Sequence, residues 1–157
     1  YVYDVVEIDL GEGTEIRGCV AGESGGGFYM DKECTLRAPG KLSIVGNEAG
    51  LSGGGILAGR SCVVDLREVE IRGCVAGNSG GGVYLLDGST LRAGNGSIVG
   101  NEAGADGGGI LCGRSSVVDL REVEIRGCVA GNSGGGVYLL DGSTLRAGNG
   151  SIVGNEA

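Results

Sequence analysis

The chain has no histidine and no tryptophan, and only one proline, one phenylalanine and one methionine among 157 residues. Each shortage excludes something. Without histidine there is no imidazole for general-base work, and no Ser/His/Asp or Cys/His relay can be built. The six cysteines include no Cys-x-x-Cys pair, so nothing points to a zinc site. No apolar run approaches the ~18–20 residues that cross a bilayer. Cations are also scarce. Lys and Arg number 12 against 20 Asp and Glu, a net charge of −8, which argues against nucleic acid or an anionic membrane as partner. The chain opens on Tyr1 and shows no secretory leader pattern. Both ends fall inside a repeat, so it reads as a segment of something longer.

What the chain has in excess is glycine, with 37 residues against an average of ~7%. Glycine does not recur at every third position, which excludes collagen. Val, Ile and Leu are abundant and regularly placed, which argues against disorder. Residues 63–103 and 117–157 are identical, giving a period of 54. The N-terminal part is a diverged copy, with Ile16-Arg17-Gly18-Cys19 matching Ile71-Arg72-Gly73-Cys74. Within each unit a glycine triplet recurs, at 25–27, 53–55, 80–82, 107–109 and 134–136, in steps of 28, 27, 27 and 27. The basic unit is therefore about 27 residues, and odd and even units differ.

The apolar segments are short and alternate. In Ser89-Thr90-Leu91-Arg92-Ala93, Leu91 and Ala93 point one way and Thr90 and Arg92 the other. Val83-Tyr84-Leu85 and Val69-Glu70-Ile71-Arg72 follow the same rule. Each unit thus carries three short strands separated by glycine-rich turns, and no stretch has a helical period. Such a unit cannot bury its apolar face alone and must stack on its neighbours. Wound as a coil, each strand pairs in parallel with its equivalents ~4.8 Å above and below. A propeller of three blades would fall below the usual ~4–8. A leucine-rich repeat would need a Leu-x-x-Leu-x-Leu frame that is missing.

Gly-Gly-Gly-Val-Tyr at 80–84 and 134–138, following Cys74-Val75-Ala76 and Cys128-Val129-Ala130, resembles the right-handed parallel β-helix superfamily typified by pectate lyases. It is similar in particular to the repeats of adhesins, polymorphic outer-membrane proteins and algal or protist cell-surface proteins. The resemblance covers the whole chain. It implies an all-β solenoid of about six coils of ~27 residues, each with three short strands. A single segment spans 1–157, with coils near 11–38, 39–66, 67–93, 94–120 and 121–147 and a partial coil at 148–157.

Stacking turns positions into columns. The expected inner columns are Ile16/Ile44/Ile71/Ile98/Ile125/Ile152, Ala21/Ala49/Ala76/Ala103/Ala130, Phe28/Ile56/Val83/Ile110/Val137 and Leu36/Val64/Leu91/Val118/Leu145. Another inner column alternates, as Cys19, Asn47, Cys74, Asn101, Cys128 and Asn155. Asparagine ladders inside turns are a feature that the resemblance implies. The three cysteines read as small buried fillers, because two coils separate them by ~9.6 Å, beyond the ~7 Å reach of a disulfide. Cys112 also reads as a buried thiol, stacked with Met30, Ala58, Leu85 and Leu139. Cys34 and Cys62 are one coil apart, in a column with Ser89, Ser116 and Ser143. Their Cα atoms should lie near ~5 Å, so a disulfide is expected, with two neighbouring thiols as the alternative. A bridge would place the chain in an oxidising, extracellular compartment.

Outside, Arg37, Asp65, Arg92, Asp119 and Arg146 form a column of alternating sign that favours the native register over a one-coil slip. Tyr29, Leu57, Tyr84, Leu111 and Tyr138 form another outward column. It is expected to be either an ordinary stacked ladder or a flat lateral contact surface. Asn95-Gly96-Ser97 and Asn149-Gly150-Ser151 are acceptor sequons for N-glycosylation if the chain is secreted by a eukaryote.

Enzymes of the fold that this chain resembles use clustered Asp residues, with calcium or a lysine or arginine, on one outer face. Here the acids repeat with the coil, as Asp65 with Asp119, Glu70 with Glu124 and Asp87 with Asp141, whereas a catalytic site needs one singular constellation. An ice-binding face would need a regular Thr array. Only Thr35, Thr90 and Thr144 stand outward, alternating with Val63 and Val117. The sequence therefore points to a non-catalytic structural segment of an extracellular fibre, stalk or cell-surface filament. It would need no cofactor, and its partners would be copies of its own repeat or lateral protein or glycan partners. An adhesin-type module that binds glycan or protein is the alternative.

Overall fold

The computed structural model describes residues 6–157, which form strands, turns and bends with no helix. The strands fall into three parallel sheets that run along one stack. Sheet 1 holds the long members Thr35–Val45, Val63–Arg72, Thr90–Val99 and Val117–Arg126, with shorter ones at both ends of the stack. Sheet 2 holds Phe28–Lys32, Ile56–Arg60, Val83–Leu85, Ile110–Cys112 and Val137–Leu139. Sheet 3 holds five strands of two residues: Val20–Ala21, Glu48–Ala49, Val75–Ala76, Glu102–Ala103 and Val129–Ala130. The chain thus winds as a parallel β-solenoid of about five turns, each crossing all three sheets, rather than the six expected.

The three strands per turn are distributed differently from the expectation. Two of the expected short strands are halves of one bent strand. In Val63–Arg72, Leu66 and Val69 are both buried while Arg67 and Glu68 between them are exposed. This three-residue step breaks the two-residue alternation and bends the strand without ending its hydrogen bonding. The third strand, Val75–Ala76 and its equivalents, lies where the sequence suggested only turn. The 28-residue coil has its extra residue at the bend, where the register with the next strand shifts between Ala38 and Lys41. Pro39 sits in that bulge, one of the few places where a sheet tolerates a residue with no N–H.

Register follows the predicted columns. Ile16 aligns with Ile44, Ile44 with Ile71 and Ile98 with Ile125. Phe28 aligns with Ile56, and Ile110 with Val137. Leu36, Ile44, Ile56, Ile71, Leu91, Ile98, Ile110 and Ile125 are essentially inaccessible. Burying each such side chain contributes about 1.5–3 kcal/mol.

The glycine triplet has a steric cause at each position. Gly80 has φ +67°, in the left-handed region. A Cβ on Gly81 would lie 2.5 Å from the Gly108 carbonyl oxygen, and one on Gly82 would lie 2.6 Å from that of Gly109. The backbones of successive coils therefore stack in direct contact here. Gly80, Gly81 and Gly82 each donate an N–H to the coil above, at 2.9–3.1 Å.

The outward Tyr/Leu column is stacked and only partly accessible. Leu57 and Leu111 of the outward Tyr/Leu column retain only 5% and 4% exposure, and Tyr29, Tyr84 and Tyr138 are half-buried. Each leucine is sandwiched between the tyrosines of the coils below and above. The glycine turn packs beside them, close enough that a Cβ on Gly53 would lie 2.8 Å from the Leu57 Cβ. Burial raises the Tyr84 phenol above its ordinary value, and the Asp87 carboxylate adds to that.

Candidate functional site: an outer groove and the ladders behind it

The bend in sheet 1 makes a groove along the outside of the stack, about 630 Å³ in volume. Arg37, Asp65, Arg92 and Asp119 line one wall, and Arg67, Arg121, Asn95 and Glu122 line the bend itself. The wall is the charge column read from the sequence. Its register is as expected, with Arg37 beside Asp65, Arg92 between Asp65 and Asp119, and Asp119 beside Arg146. The ion pairs differ. Arg37 pairs with Glu7, and Arg121 reaches Asp119 at 3.7 Å. Among the described residues neither Arg67 nor Arg92 has a carboxylate within ion-pair distance. Gly94, beside Arg121 in register, also lines the groove, and a Cβ there would lie 2.8 Å from the Arg67 carbonyl oxygen.

Arg67, Arg121 and Glu122 flank a bend that imitates a break between strands in the sequence. The three-residue step from Leu66 to Val69, repeated from Leu120 to Val123, was the available signal. Glu122 and Asn95 carry left-handed φ values of +56° and +28°. The expected glycosylation sites Asn95 and Asn149 are both exposed.

Behind the groove, the inner Cys/Asn column gives the odd–even alternation a bonding pattern. Asn101 is fully buried. Its Oδ1 accepts from the Cys74 N–H at 2.9 Å, and its Nδ2 donates to the Ile71 carbonyl at 3.1 Å. Asn47 makes the same pair with Cys19 and Ile16, and Asn155 with Cys128 and Ile125. Each asparagine therefore ties its even coil to the odd coil beneath it. The junction to the next odd coil is weaker, with sulfur contacts from Asn47 to Cys74 at 4.0 Å and from Asn101 to Cys128 at 3.9 Å. Thiols are poor hydrogen-bonding groups. The 54-residue repeat is thus a bonded two-coil unit joined to its neighbours by softer contacts in this column. Burial raises the Cys74 and Cys128 thiols above their ordinary value, against the partly opposing pull of the asparagine bonds. Cys112 is buried and its thiol is likewise raised by burial.

No disulfide is present among the described residues, so the expected Cys34–Cys62 bridge is not formed. The two residues do stack, with the Cys34 N–H 3.4 Å from the Cys62 Sγ. This is the bond that serines make elsewhere in the column, where Ser89 Oγ accepts from Cys62 N–H at 3.2 Å and Ser116 Oγ from Ser89 N–H at 3.1 Å. Cys62 thus reaches for the backbone of the coil below, while the Cys34 Sγ contacts the Lys32 carbonyl at 3.2 Å. Parallel in-register side chains lie ~4.8 Å apart, whereas a disulfide draws its Cβ atoms to ~3.8 Å. Burial pushes the Cys62 thiol up to about 11, against the opposing pull of the Cys34 N–H bond.

Among the described residues no group of three or more Cys, Asp or Glu is placed to hold a metal ion. The family model described as "Right handed beta helix region" matches residues 4–157. Comparison with curated proteins and with solved structures finds no match.

Proposed function

Because this chain belongs to the right-handed β-helix family, we propose that it is a structural segment of an extracellular fibre, stalk or cell-surface filament, mechanical rather than catalytic. The observation that carries this reading is the repetition of the outer surface. Arg67 recurs as Arg121, Asp65 as Asp119 and Arg92 as Arg146, each after 54 residues. A reacting centre needs one constellation different from its surroundings. A filament needs the reverse, since length and stiffness scale with the number of like units. In a eukaryotic extracellular setting the exposed sequons at Asn95 and Asn149 would be open to glycosylation.

The test is the length of arrays extended by whole 54-residue units. Electron microscopy should show straight rods that lengthen by roughly 9.6 Å per added unit, at two strand spacings each. Rods that collapse, or whose length does not follow copy number, would count against the proposal. The adhesin reading is favoured by one observation, that the groove arginines Arg67 and Arg92 have no ion pair among the described residues. It predicts saturable binding of an anionic glycan that Arg92→Ala abolishes.

A further inference from the structure

Sheet 3 presents a second outer column that no other feature explains. Val20, Glu48, Val75, Glu102, Val129 and Glu156 alternate in register, and all are exposed. Val20 is 75% exposed, and Val75 and Val129 are 38% and 42% exposed. The strands beneath are only two residues long and are entered through a left-handed glycine, such as Gly46 at φ +60° or Gly73 at φ +59°. The column therefore stands on a narrow corner of the rod. Glu48, Glu102 and Glu156 form no ion pair among the described residues. Their neighbours Glu15, Glu70 and Glu124 are neutralised along the strand by Arg17, Arg72 and Arg126, at 3.7, 2.8 and 3.1 Å.

We propose that this corner docks into the sheet 1 groove of a second copy of the chain, so that rods lie side by side, parallel and in register. The inference rests on the fibre reading and supplies its lateral contact. Charge is complementary, because the corner glutamates and the groove residues Arg67 and Arg92 have no ion pair among the described residues. Of the apolar residues at the groove, Pro39 is exposed to the corner valines, while Ala38, Leu66 and Ala93 are buried beneath it. The periods agree. Glu48, Glu102 and Glu156 recur every 54 residues, as do Arg67 with Arg121 and Arg92 with Arg146, so both surfaces repeat every ~9.6 Å. In register Glu102 is level with the Arg92 strand, and a one-coil slip brings the glutamates level with Asp65 and Asp119, whose like charge is offset by Arg67 and Arg121 on the same strands. A two-coil slip restores every pairing, so rods can stagger by whole units. The contact is heterologous, a corner on one copy and a groove on the next, so it does not close and rods add in open rows. Each contact is weak by itself and gains through repetition along the rod.

Charge-reversal variants test this with the full chain. One variant carries Arg67→Glu, Arg92→Glu and Arg121→Glu in the groove. The other carries Glu48→Arg and Glu102→Arg on the corner. All five positions are exposed, and circular dichroism checks that both variants keep the fold. In sedimentation velocity at low salt the wild type should associate, and should dissociate in about 1 M salt, where the screening length is ~3 Å. Each variant alone should stay monomeric, because its groove and corner then bear the same sign. An equimolar mixture should assemble, with the acidic groove taking the basic corner and the untouched pair completing the row. A wild type that stays monomeric, a single variant that associates like the wild type, or an inert mixture beside an associating wild type would each overturn the proposal. Rods that lengthen with added units yet never associate laterally would overturn this contact and leave the fibre reading standing.

Discussion

Replacing Asn101 with alanine removes the two side-chain hydrogen bonds that it makes to the odd coil below. The side chain is fully buried. Its loss strands the Cys74 N–H, now bonded at 2.9 Å, and takes from the Ile71 carbonyl a bond of 3.1 Å. A buried group left unsatisfied costs about 1–3 kcal/mol, a sizeable share of the ~5–15 kcal/mol that holds a typical domain. Asn101→Cys should cost less, because Cys74 and Cys128 occupy the same column and place a sulfur 3.7 and 3.5 Å from the carbonyls of Ile44 and Ile98. Urea denaturation measures the loss. Amide hydrogen exchange localises it: the Cys74 amide should lose protection in Asn101→Ala, while the Cys128 amide, held by Asn155, should keep it. If Asn101→Ala lies within about 0.5 kcal/mol of wild type, the ordinary range for a surface substitution, the two-coil bonding pattern is wrong.

Further outcomes follow from other columns. Gly81→Ala drives a Cβ to 2.5 Å from the Gly108 oxygen. Backbone cannot swing aside, so the cost should reach or exceed the ~1–3 kcal/mol of ordinary overpacking, visible as a lowered denaturation midpoint. Alkylation of the native chain at pH 8 should label Cys19, the one half-buried thiol, well before Cys62, Cys74, Cys112 and Cys128, which are buried; a peptide mass map reads the order. The Cys62 thiol is raised from 9.0 to about 11 in the fold. Its contribution to stability is therefore fully present below pH 9 and is lost as pH rises towards about 11, because only the unfolded chain ionises in that window. Unfolding midpoints that rise between pH 9 and 11 would contradict the burial of this thiol.

Much of the fold was legible because a solenoid writes its register into its sequence. Equivalent residues recur at 27 or 28 positions, so the isoleucine column and the Arg/Asp column could be aligned from the period alone. The bend was not legible by alternation, because the step from Leu66 to Val69 resets the phase and imitates a strand end. Val75–Ala76 is too short for periodicity to register and was hidden among glycines. The Tyr/Leu column points outward as alternation requires, yet its leucines are buried. Stacking of tyrosines above and below, rather than strand direction, sets their exposure. The Cys34–Cys62 bridge failed for a related reason. Column membership fixes which residues are neighbours, but the hydrogen bond that each side chain makes to the coil below fixes where the sulfur points. The Arg37 and Arg92 wall of the groove follows from the column, whereas Arg67 and Arg121 lie on the bend that alternation hides.

The central claim is that two coils, not one, form the repeating object along the axis. Diffraction from aligned rods built of many 54-residue units tests it most directly. Strand stacking gives a meridional reflection near 4.8 Å in any such coil. Alternation of Arg with Asp outside and Cys with Asn inside should add a second meridional reflection near 9.6 Å, at twice the strand spacing. A pattern with the shorter spacing alone would mean that odd and even coils are equivalent along the axis, and would contradict the account.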